Sequence, residues 1–428
     1  MKENNKPAEK KEADAGPKKP LFTRYQVFVI AILAILQFTI ILDFMVLSPL
    51  GAILIPKLSI TAAQFSHVVS GYAFSAGIAG ILAAGFADKF DRKRLLLFFY
   101  VGFILGTVLC AIAPNYHMLL IARIITGLFG GVIGSVSFAI ITDLFRMETR
   151  GRVMGFVQMA FAASQVLGIP IGLELANKFG WHYPFWMIAV FGTIVGVVIL
   201  VYLKPVSEHL KLKNDRNALA HLWHTATQRD YLTVFLATTL LATGGFMIMP
   251  FGSTFTTGNL KISADDLPLM YTITGVFSII FGPLIGKFSD KIGKYTMFII
   301  GSIVSTIMLV IYSQLGPSPF YLVVMLNVLL FVGISSRMIS SSSLVTAIPT
   351  AQDRGAFMSI NASVQQLAGG IASIIAGTIV VVQADGYVQH YDTLCYVVIG
   401  TMTVAVGLMY FLNRLVKRRL HIAANQPV

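Results

Sequence analysis

The sequence predicts an all-helical integral membrane protein, with twelve transmembrane helices in two pseudo-symmetric bundles of six. The first observation is composition: of 428 residues, 56% are hydrophobic and 12% are charged, which leaves too few polar side chains to coat a water-soluble globule. The second is the recurrence of apolar stretches of about twenty residues, long enough to cross a hydrocarbon core of roughly 30 Å as helices. The third is an internal repeat of about 200 residues.

Twelve apolar stretches follow one another along the chain. Short polar breaks rich in Pro, Gly and Asn separate them, such as "APNYH" and "LGPSPF", and none of the stretches alternates as the strands of a membrane barrel do. In chain order, the predicted spans are 26–50, 68–85, 95–113, 118–141, 153–176, 183–203, 231–253, 269–288, 295–313, 320–345, 357–382 and 394–412.

The two halves of the chain repeat three short motifs. "KLSITAAQF" from residue 57 matches "KISADDLPL" from residue 261, "ADKFDRKR" from 87 matches "SDKIGKYT" from 289, and "ETRGRVMG" from 148 matches "QDRGAFMS" from 352. The offsets are 204, 202 and 204 residues. Two six-helix halves of this kind are the architecture of many secondary transporters, whose substrate site lies between the halves near the membrane midplane.

The longest interior polar segment, from Lys204 to Tyr231, falls between the sixth and seventh spans. The first twenty residues mix Lys, Glu, Ala and Pro without an apolar core, which is typical of a disordered tail and not of a cleaved signal. The predicted organisation is a disordered cytoplasmic tail (1–22), an N-terminal bundle (23–204), a cytoplasmic linker (205–230), a C-terminal bundle (231–416) and a second cytoplasmic tail (417–428).

The distribution of basic residues predicts the orientation, because loops carrying Lys and Arg stay on the cytoplasmic side. With the N-terminus inside, three of the 32 basic residues lie in outer loops (Lys57, Lys178, Lys261) and two deep within spans (Arg123, Arg337), which leaves 27 in cytoplasmic segments or at the cytoplasmic ends of spans. Both termini are therefore expected in the cytoplasm of a cell whose inner (plasma) membrane holds the protein. Since topology explains the net charge of +13, no nucleic-acid partner is implied.

Several other classes of protein are not indicated by the sequence. It contains no H-E-x-x-H, no G-x-S-x-G and no phosphate-binding loop, so we expect neither an enzyme nor a nucleotide-driven pump. Cys110 and Cys395 fall in or beside apolar spans, where packing is the expected role. No metal and no cofactor are predicted.

Four motifs carry a resemblance to a known family, and one of them lies in a loop and recurs in the second half. After the second span, "AGFADKFDRKR" resembles the signature G-x-L-x-D-R-x-G-R-K, with Asp88, Lys89, Arg92 and Lys93 in the expected places. Its copy in the second half is "GKFSDKIGK", which begins at residue 286 and contains Asp290.

The other motifs lie in membrane spans. The first span contains "ILDFMVLSPLG", built around Asp43, and the fourth contains "RIITGLFGG", which places Arg123 in the membrane. The fifth contains "LGIPIGLELANKFG", which resembles the antiporter motif G-P-x-x-G-G through Gly168, Pro170 and Gly172. Over nearly its whole length the chain resembles a twelve-helix major facilitator superfamily transporter of the drug:proton antiporter group, similar to arabinose-efflux permeases. The resemblance implies this fold and efflux.

Asp43 is the candidate for proton coupling. A charge well inside the hydrocarbon costs on the order of 2.5 kcal/mol, so the side chain must face protein or water. Burial disfavours the ionised form of a carboxylate and a nearby cation favours it, so a site that alternates between these surroundings can take up and release a proton. Arg123 is the expected modulator. The alternative is that Asp43 only hydrogen-bonds a neighbouring helix.

The motif loops provide candidates for a cytoplasmic gate. A carboxylate beside a cluster of cations can pair with a neighbouring helix end and hold the cytoplasmic side shut until the contacts break. The alternative is that the cations only set the topology. The predicted gate residues are Asp88, Arg92, Arg150, Asp290 and Arg354.

Arg337 lies in "GISSRMISSSS" of the tenth span, and we expect its partner to be Asp43 or an anionic group of the substrate. The alternative is an arginine bonded to helix carbonyls and serine hydroxyls. Glu174 is expected to line the mouth of the cavity or to relay protons. Helical spacing adds further residues expected to face the cavity, for which interhelical bonding is the alternative. They are Gln158, Gln165, Asn361, Gln365, Ser336 and Ser340.

Together these features predict a proton-coupled efflux transporter that works by alternating access of the two halves. Its expected partners are protons, a small amphipathic molecule such as a drug, sugar or lipid, and the bilayer, and we expect a monomer. The alternatives are a proton-coupled symporter importing a nutrient and a transporter of lipids or lysolipids. A transporter-like sensor would usually carry an added soluble output domain, and neither terminus is long enough to fold as one.

Overall fold

The computed structural model describes residues 21–207, 210, 218–350 and 353–424. Within these ranges, twelve helical segments are long and apolar enough to cross a membrane. The prediction of an all-helical protein with twelve spans is thereby confirmed. Nearly all of the predicted N-terminal tail and part of the predicted linker lie outside the described residues.

The N-terminal half contains the first six spans. The span-forming helices are α1 (Arg24–Val46), α3 (Ala62–Phe86), α4 (Arg92–Ala111), α5 (Tyr116–Leu144), α6 (Met147–Ala163) continued by α7 (Ile169–Phe179), and α8 (Tyr183–Tyr202), with the short α2 (Gly51–Lys57) after α1. A helix of the linker, α9 (Ala218–Thr227), follows.

The C-terminal half contains the other six. Its helices are α10 (Arg229–Ile248), α11 (Gly252–Gly258), α12 (Leu267–Ile292), α13 (Lys294–Ser313), α14 (Phe320–Thr346), α15 (Arg354–Ile379) and α16 (Tyr391–Ala424). A two-stranded antiparallel hairpin, β1 (Val381–Val382) and β2 (Val388–Gln389), joins α15 to α16. Helix α16 continues through the first eight residues of the predicted C-terminal tail.

Both described chain ends and the linker helix lie at one end of the bundle, which we call the linker side; the opposite end is the far side. This follows because an even number of spans returns the chain to the end where it began.

Polar side chains begin several helices: α1 and α3 each start with a capping box, Thr23 with Gln26 and Thr61 with Gln64.

The first helix of each half is interrupted at a matching point. Proline has no backbone N–H and cannot continue a helical ladder, and Pro49 and Pro250 follow the ends of α1 and α10. Two residues after each proline, at Gly51 and Gly252, a short helix begins. The first helix of each half is therefore interrupted near the far side of the bundle.

The fifth span contains a π-helical turn. Residues Ser164–Gly168 form it, and the N–H of Ile169 donates to the carbonyl of Ser164, five residues back. Pro170 follows in the first turn of α7, where its missing N–H costs least. The span predicted at 153–176 is thus a helix in two parts, α6 and α7, that meet at this turn.

The two halves meet most closely at the far side. The Ser48 hydroxyl donates to the carbonyl of Met249, and the Ser253 hydroxyl donates to the carbonyl of Ser48 at 3.3 Å. Asn177 of α7 donates to the carbonyl of Ala264 at 2.8 Å. The far-side contacts between the halves are called the seam below.

Two helix pairs extend the contact between the halves from the seam toward the linker side. α3 packs along α15, where Gly77 and Gly80 approach Leu367 and Ser363. α12 meets the fifth span at its π turn, but the side chains of Ile280, Leu284 and Phe288 nearer the linker side are exposed. At these three positions α12 is therefore not covered by the N-terminal half.

Glycines set the distance between α3 and α5, and one pair of substitutions tests this. A Cβ at Gly131 would collide with the backbone of Ala76, whereas a Cβ at Gly134 on the same helix would meet nothing within 4 Å. We expect Gly131→Ala to lower the free energy of unfolding by about 1–3 kcal/mol, because the helices must move apart. Gly134→Ala is the control. Thermal unfolding in detergent measures both, and equal stabilities would contradict this account.

Candidate functional site

A buried ion pair lies in the far-side half of the N-terminal bundle. Arg123 Nη1 donates to Asp43 Oδ2 at 2.7 Å and to the Asp43 carbonyl at 3.3 Å. The two side chains are 1% and 0% exposed. The residues proposed for proton coupling are therefore in direct contact, and the pair is sealed from water in this conformation.

Neighbouring helices complete the environment of this pair. The Thr107 hydroxyl of α4 lies 3.3 Å from Asp43 Oδ1 and 3.0 Å from the carbonyl of Phe103. The Arg123 guanidinium lies over the ring of Tyr72 on α3, 4.5 Å from the centroid, which is favourable for a desolvated cation. Among the described residues, Arg123 Nε has no hydrogen-bond partner. The site thus joins α1, α3, α4 and α5 around one carboxylate and one cation.

Arg337 is the second interior cation, and its surroundings differ. The residue is 5% exposed and lies on the face of α14 that contacts α13, with its guanidinium 5.5 Å from the ring centroid of Phe298. Among the described residues, its Nε and Nη2 atoms have no hydrogen-bond partner. Asp43, which the sequence offered as one possible partner, is bonded to Arg123 instead.

The serines of α14 are bonded within the C-terminal half. Ser336 donates to the carbonyl of Val332 at 2.8 Å, and Ser340 lies 3.5 Å from the hydroxyl of Ser289 on α12. Both Ser336 and Ser340 are buried. In this conformation they face neighbouring helices rather than an open cavity.

The predicted amides have different surroundings. Thr238 of α10 donates to Asn361 Oδ1 at 2.7 Å, so Asn361 makes the interhelical bond that was its alternative role. Gln158 and Gln365 are exposed, and Gln165 is half-buried beside the π turn. The two exposed amides can be reached from outside the protein without rearrangement.

The loop motif of the first half forms contacts within that half. Arg92 pairs with Asp143 at the end of α5, Nε to Oδ2 at 3.2 Å, and donates to the carbonyl of Ala87 at 3.0 Å. Arg150 donates to the carbonyls of Phe145 and Thr142. The side chain of Asp88, the proposed acid of this gate, lies outside the described residues.

In the second half, Asp290 pairs with Lys294 one helical turn away, and Arg354 is exposed at the start of α15. Glu174, near the far side, is half-buried and pairs with Lys178 at 2.7 Å. Both ion pairs join residues of a single half. In this conformation, no ion pair described for these residues connects the two halves.

The glycines of the fifth-span motif face the first helix. A Cβ at Gly168 would collide with Leu42, and one at Gly172 would lie 2.8 Å from Val46. These two positions flank Asp43 on α1. The motif therefore allows the fifth span to press closely against the helix that carries the buried carboxylate.

A second polar cluster, on the linker side, includes a residue that sequence reasoning missed. Asp353 Oδ2 accepts hydrogen bonds from Tyr231 and Thr350, both at 2.9 Å, and its Oδ1 lies 3.7 Å from His221 Nε2 of α9. Burial raises the pKa of Asp353, but the two hydrogen bonds and His221 together lower this pKa by more than burial raises it. The net shift of the pKa is therefore downward. The helix α9 also packs against α3 and α15, so the linker touches both halves.

Three other contacts were not predicted: Thr107 beside Asp43, Asp143 beside Arg92, and the Ser48 bond to Met249. Only one of them had a signal in the sequence. Asp143 stands at the end of a predicted span, where an acid is not needed for topology. Thr107 and Ser48 resemble the many small polar residues that bond to their own helix.

Twelve helices in two repeated halves, with buried charges inside the bundle, are typical of membrane transporters. The sequence model of a family described as "Major Facilitator Superfamily" matches residues 33–233 and again 234–426. The chain belongs to the major facilitator superfamily, and its activity is transport. The resemblance to this superfamily seen in the motifs is confirmed.

Two relatives from Bacillus subtilis (strain 168) illustrate the similarity. An "Uncharacterized MFS-type transporter YceJ" is 27% identical over 268 residues, which cover 62% of this chain and 67% of that protein. "Multidrug resistance protein 3" is 35% identical over 153 residues, which cover 36% of this chain and 30% of that protein.

A solved structure shares the fold. A bacterial homolog of the human lysosomal transporter Spinster, in an inward-facing and unoccupied conformation, superposes with a TM-score of 0.73 at 14% identity. The match covers 93% of this chain and 98% of the other. At this identity the similarity concerns the fold alone.

Proposed function

We propose that the protein is a proton-driven exporter of small amphipathic molecules in the bacterial inner membrane, acting as a monomer. The linker side is then cytoplasmic and the far side faces outward, as the distribution of basic residues predicts. The observation that carries the proposal is the Asp43–Arg123 pair, which is fully buried, lies in the far-side half and contacts two other helices.

The buried pair can link proton binding to conformation. An ionised Asp43 compensates the charge of Arg123, and protonation would leave Arg123 as a lone buried cation, which costs several kcal/mol. The protonated state therefore favours a conformation in which the guanidinium finds water or another partner. A proton that enters from the far side and leaves on the linker side then drives the halves through one cycle.

The remaining site residues have supporting roles in this proposal. Arg337 binds the anionic group of a substrate, and Gln158 and Gln365 contact its polar groups. The linker-side contacts around Arg92, Arg150, Asp290 and Arg354, together with Asp88, form the gate that closes when the halves approach. The name of the multidrug relative favours export of drug-like molecules.

Reconstitution tests the direction and the coupling. A thermal-shift screen of purified protein against lipids, sugars and drug-like cations and anions first identifies ligands, since a bound ligand stabilises the folded state. Proteoliposomes with an imposed pH gradient then report uphill movement of a hit against the proton flow. We expect transport to stop when an ionophore collapses the gradient. Transport that is unchanged without a gradient, or that follows the proton flow, would reject the proposal.

A further inference from the structure

A row of aromatic rings leads from the buried ion pair to the opposite half of the protein. The Arg123 guanidinium lies over Tyr72, the centroids of Tyr72 and Phe44 are 5.3 Å apart, and those of Phe44 and Phe246 are 5.5 Å apart. Tyr72 is on α3 and Phe44 on α1, whereas Phe246 is on α10 of the C-terminal half. We call Tyr72, Phe44 and Phe246 the ring relay.

The two ends of the ring relay are held by close packing. Tyr72 is 2% exposed, and a Cβ at Gly130 would lie 2.8 Å from its hydroxyl. At the other end the ring of Phe246 fills a notch on α15, because a Cβ at Gly369 would collide with it. A shift of either terminal ring must therefore move the helix against which it packs.

The middle of the relay lies beside the seam. A small pocket borders the contact between Phe44 and Phe246, and its lining includes residues that bond across the seam. The lining residues are Phe44, Ser48, Val69, Phe246, Met249 and Pro250. Movement of Phe44 would thus act next to the hydrogen bond between Ser48 and Met249.

The register of α1 connects the relay to the charge pair directly. Successive residues of an α-helix point about 100° apart, so Asp43 faces α4 and α5 while Phe44 faces α3 and the C-terminal half. Any rotation of α1 that accompanies the loss of the Asp43 bond to Arg123 also displaces Phe44. Arg123 reaches the same ring by a second route, through Tyr72.

We propose that the ring relay transmits the charge state of the Asp43–Arg123 pair to the seam, with Tyr72, Phe44 and Phe246 as positioning residues. The proposal rests on the proton coupling proposed above. With Asp43 ionised, Arg123 stays over Tyr72 and the three rings hold α1 against α10. When Asp43 gains a proton, Arg123 is released, the Tyr72 and Phe44 rings shift, and the contact with Phe246 that helps to close the far side is lost.

The other role for these rings is ordinary packing, which requires an experiment that separates stability from coupling. Phe44→Leu removes the ring but keeps an apolar side chain, and Phe44→Tyr restores the ring. Phe38→Leu is the matched control, because Phe38 is on the same helix and pairs with Phe191 inside the N-terminal half, at 6.1 Å between centroids.

The measurement is the distance between the halves as a function of pH. Spin labels at Lys89→Cys and Lys291→Cys, two exposed positions on the linker side, report the separation in nanodiscs. The background carries Cys110→Ala and Cys395→Ala. Asp43→Asn in the same background imitates the protonated state. The quantity compared between variants is the change in the ratio of open to closed populations.

We expect acid and Asp43→Asn to shift the ratio in the otherwise unaltered protein, and Phe44→Leu to reduce both shifts about fivefold or more, the lower end of usual coupling factors. Phe44→Tyr should restore both shifts, and Phe38→Leu should show the same shifts as the parent protein. The double variant with Phe44→Leu and Phe246→Leu should show the same shifts as Phe44→Leu alone. If acid and Asp43→Asn shift the ratio in Phe44→Leu as much as in the parent protein, the relay is overturned while proton coupling stands. If neither acid nor Asp43→Asn shifts the ratio in the parent protein, both the proton coupling and the relay are rejected.

Discussion

We expect Asp43→Asn to abolish uphill transport driven by a pH gradient while passive exchange of substrate remains measurable. Asparagine keeps the size and the hydrogen-bonding oxygen of the side chain but cannot carry a proton, so the step that ties the proton to the conformational change is lost. The expected loss is complete, because no other acid lies beside the pair among the residues that contact it.

The same substitution leaves Arg123 as an unpaired buried charge, which destabilises a protein by about 3–5 kcal/mol. A second variant therefore accompanies it: Asp43→Asn with Arg123→Gln removes both charges and should recover the stability without recovering coupling. Proteoliposome transport with and without a pH gradient, beside counterflow without one, measures the two activities. Undiminished uphill transport by either variant would show that Asp43 does not couple.

We expect Arg337→Met to raise the stability of the protein and to remove the transport of anionic substrates. Within the described part of the chain, two nitrogens of the Arg337 guanidinium have no hydrogen-bond partner, and the residue is 5% exposed. Such a group stabilises the folded protein little and costs its desolvation. Methionine fills a comparable volume without the charge, so we expect a gain of about 1 kcal/mol or more. A cost of this kind persists in natural proteins mostly at functional sites.

Thermal unfolding in detergent and transport of a matched pair of substrates, one carboxylated and one neutral, measure the two effects. Arg418→Met is the control for the loss of one positive charge, since Arg418 is exposed at the linker-side end of α16. A more stable Arg337→Met protein with an unchanged substrate profile would make Arg337 a structural residue. A less stable one would show that the arginine has a stabilising partner.

The helices could be predicted because their cause is local. Each span is a continuous apolar stretch in which every backbone group must bond within its own helix, and the twelve predicted spans correspond to the twelve candidate spans of the structure. The repeat likewise indicated two halves. The interruptions at Pro49 and at the π turn were missed, since neither changes the hydrophobicity on which the prediction depended.

The pairing of charges could be predicted only in part. Asp43 and Arg123 were expected to interact because two interior charges of opposite sign in the same half have few other partners, and they lie 2.7 Å apart. Arg92 was predicted to belong to a cytoplasmic gate with Asp88 and Arg150, and the partner described for it is Asp143, which was not predicted. A helical period identifies the face on which a side chain lies but not the neighbour that this face meets.

The amino-acid sequence alone determined that the chain spans the membrane twelve times, that its halves repeat, and that one acid and two arginines lie inside the bundle, because hydrophobicity and charge are properties of each segment. The tertiary structure decided which of these charges are paired. It placed Asp43 and Phe44 of α1 on two different surfaces, one against Arg123 and one against the opposite half. Such contacts depend on how each helix is rotated and tilted against its neighbours, and that is fixed by the fit of many side chains, among them Gly168, Gly172 and Gly369.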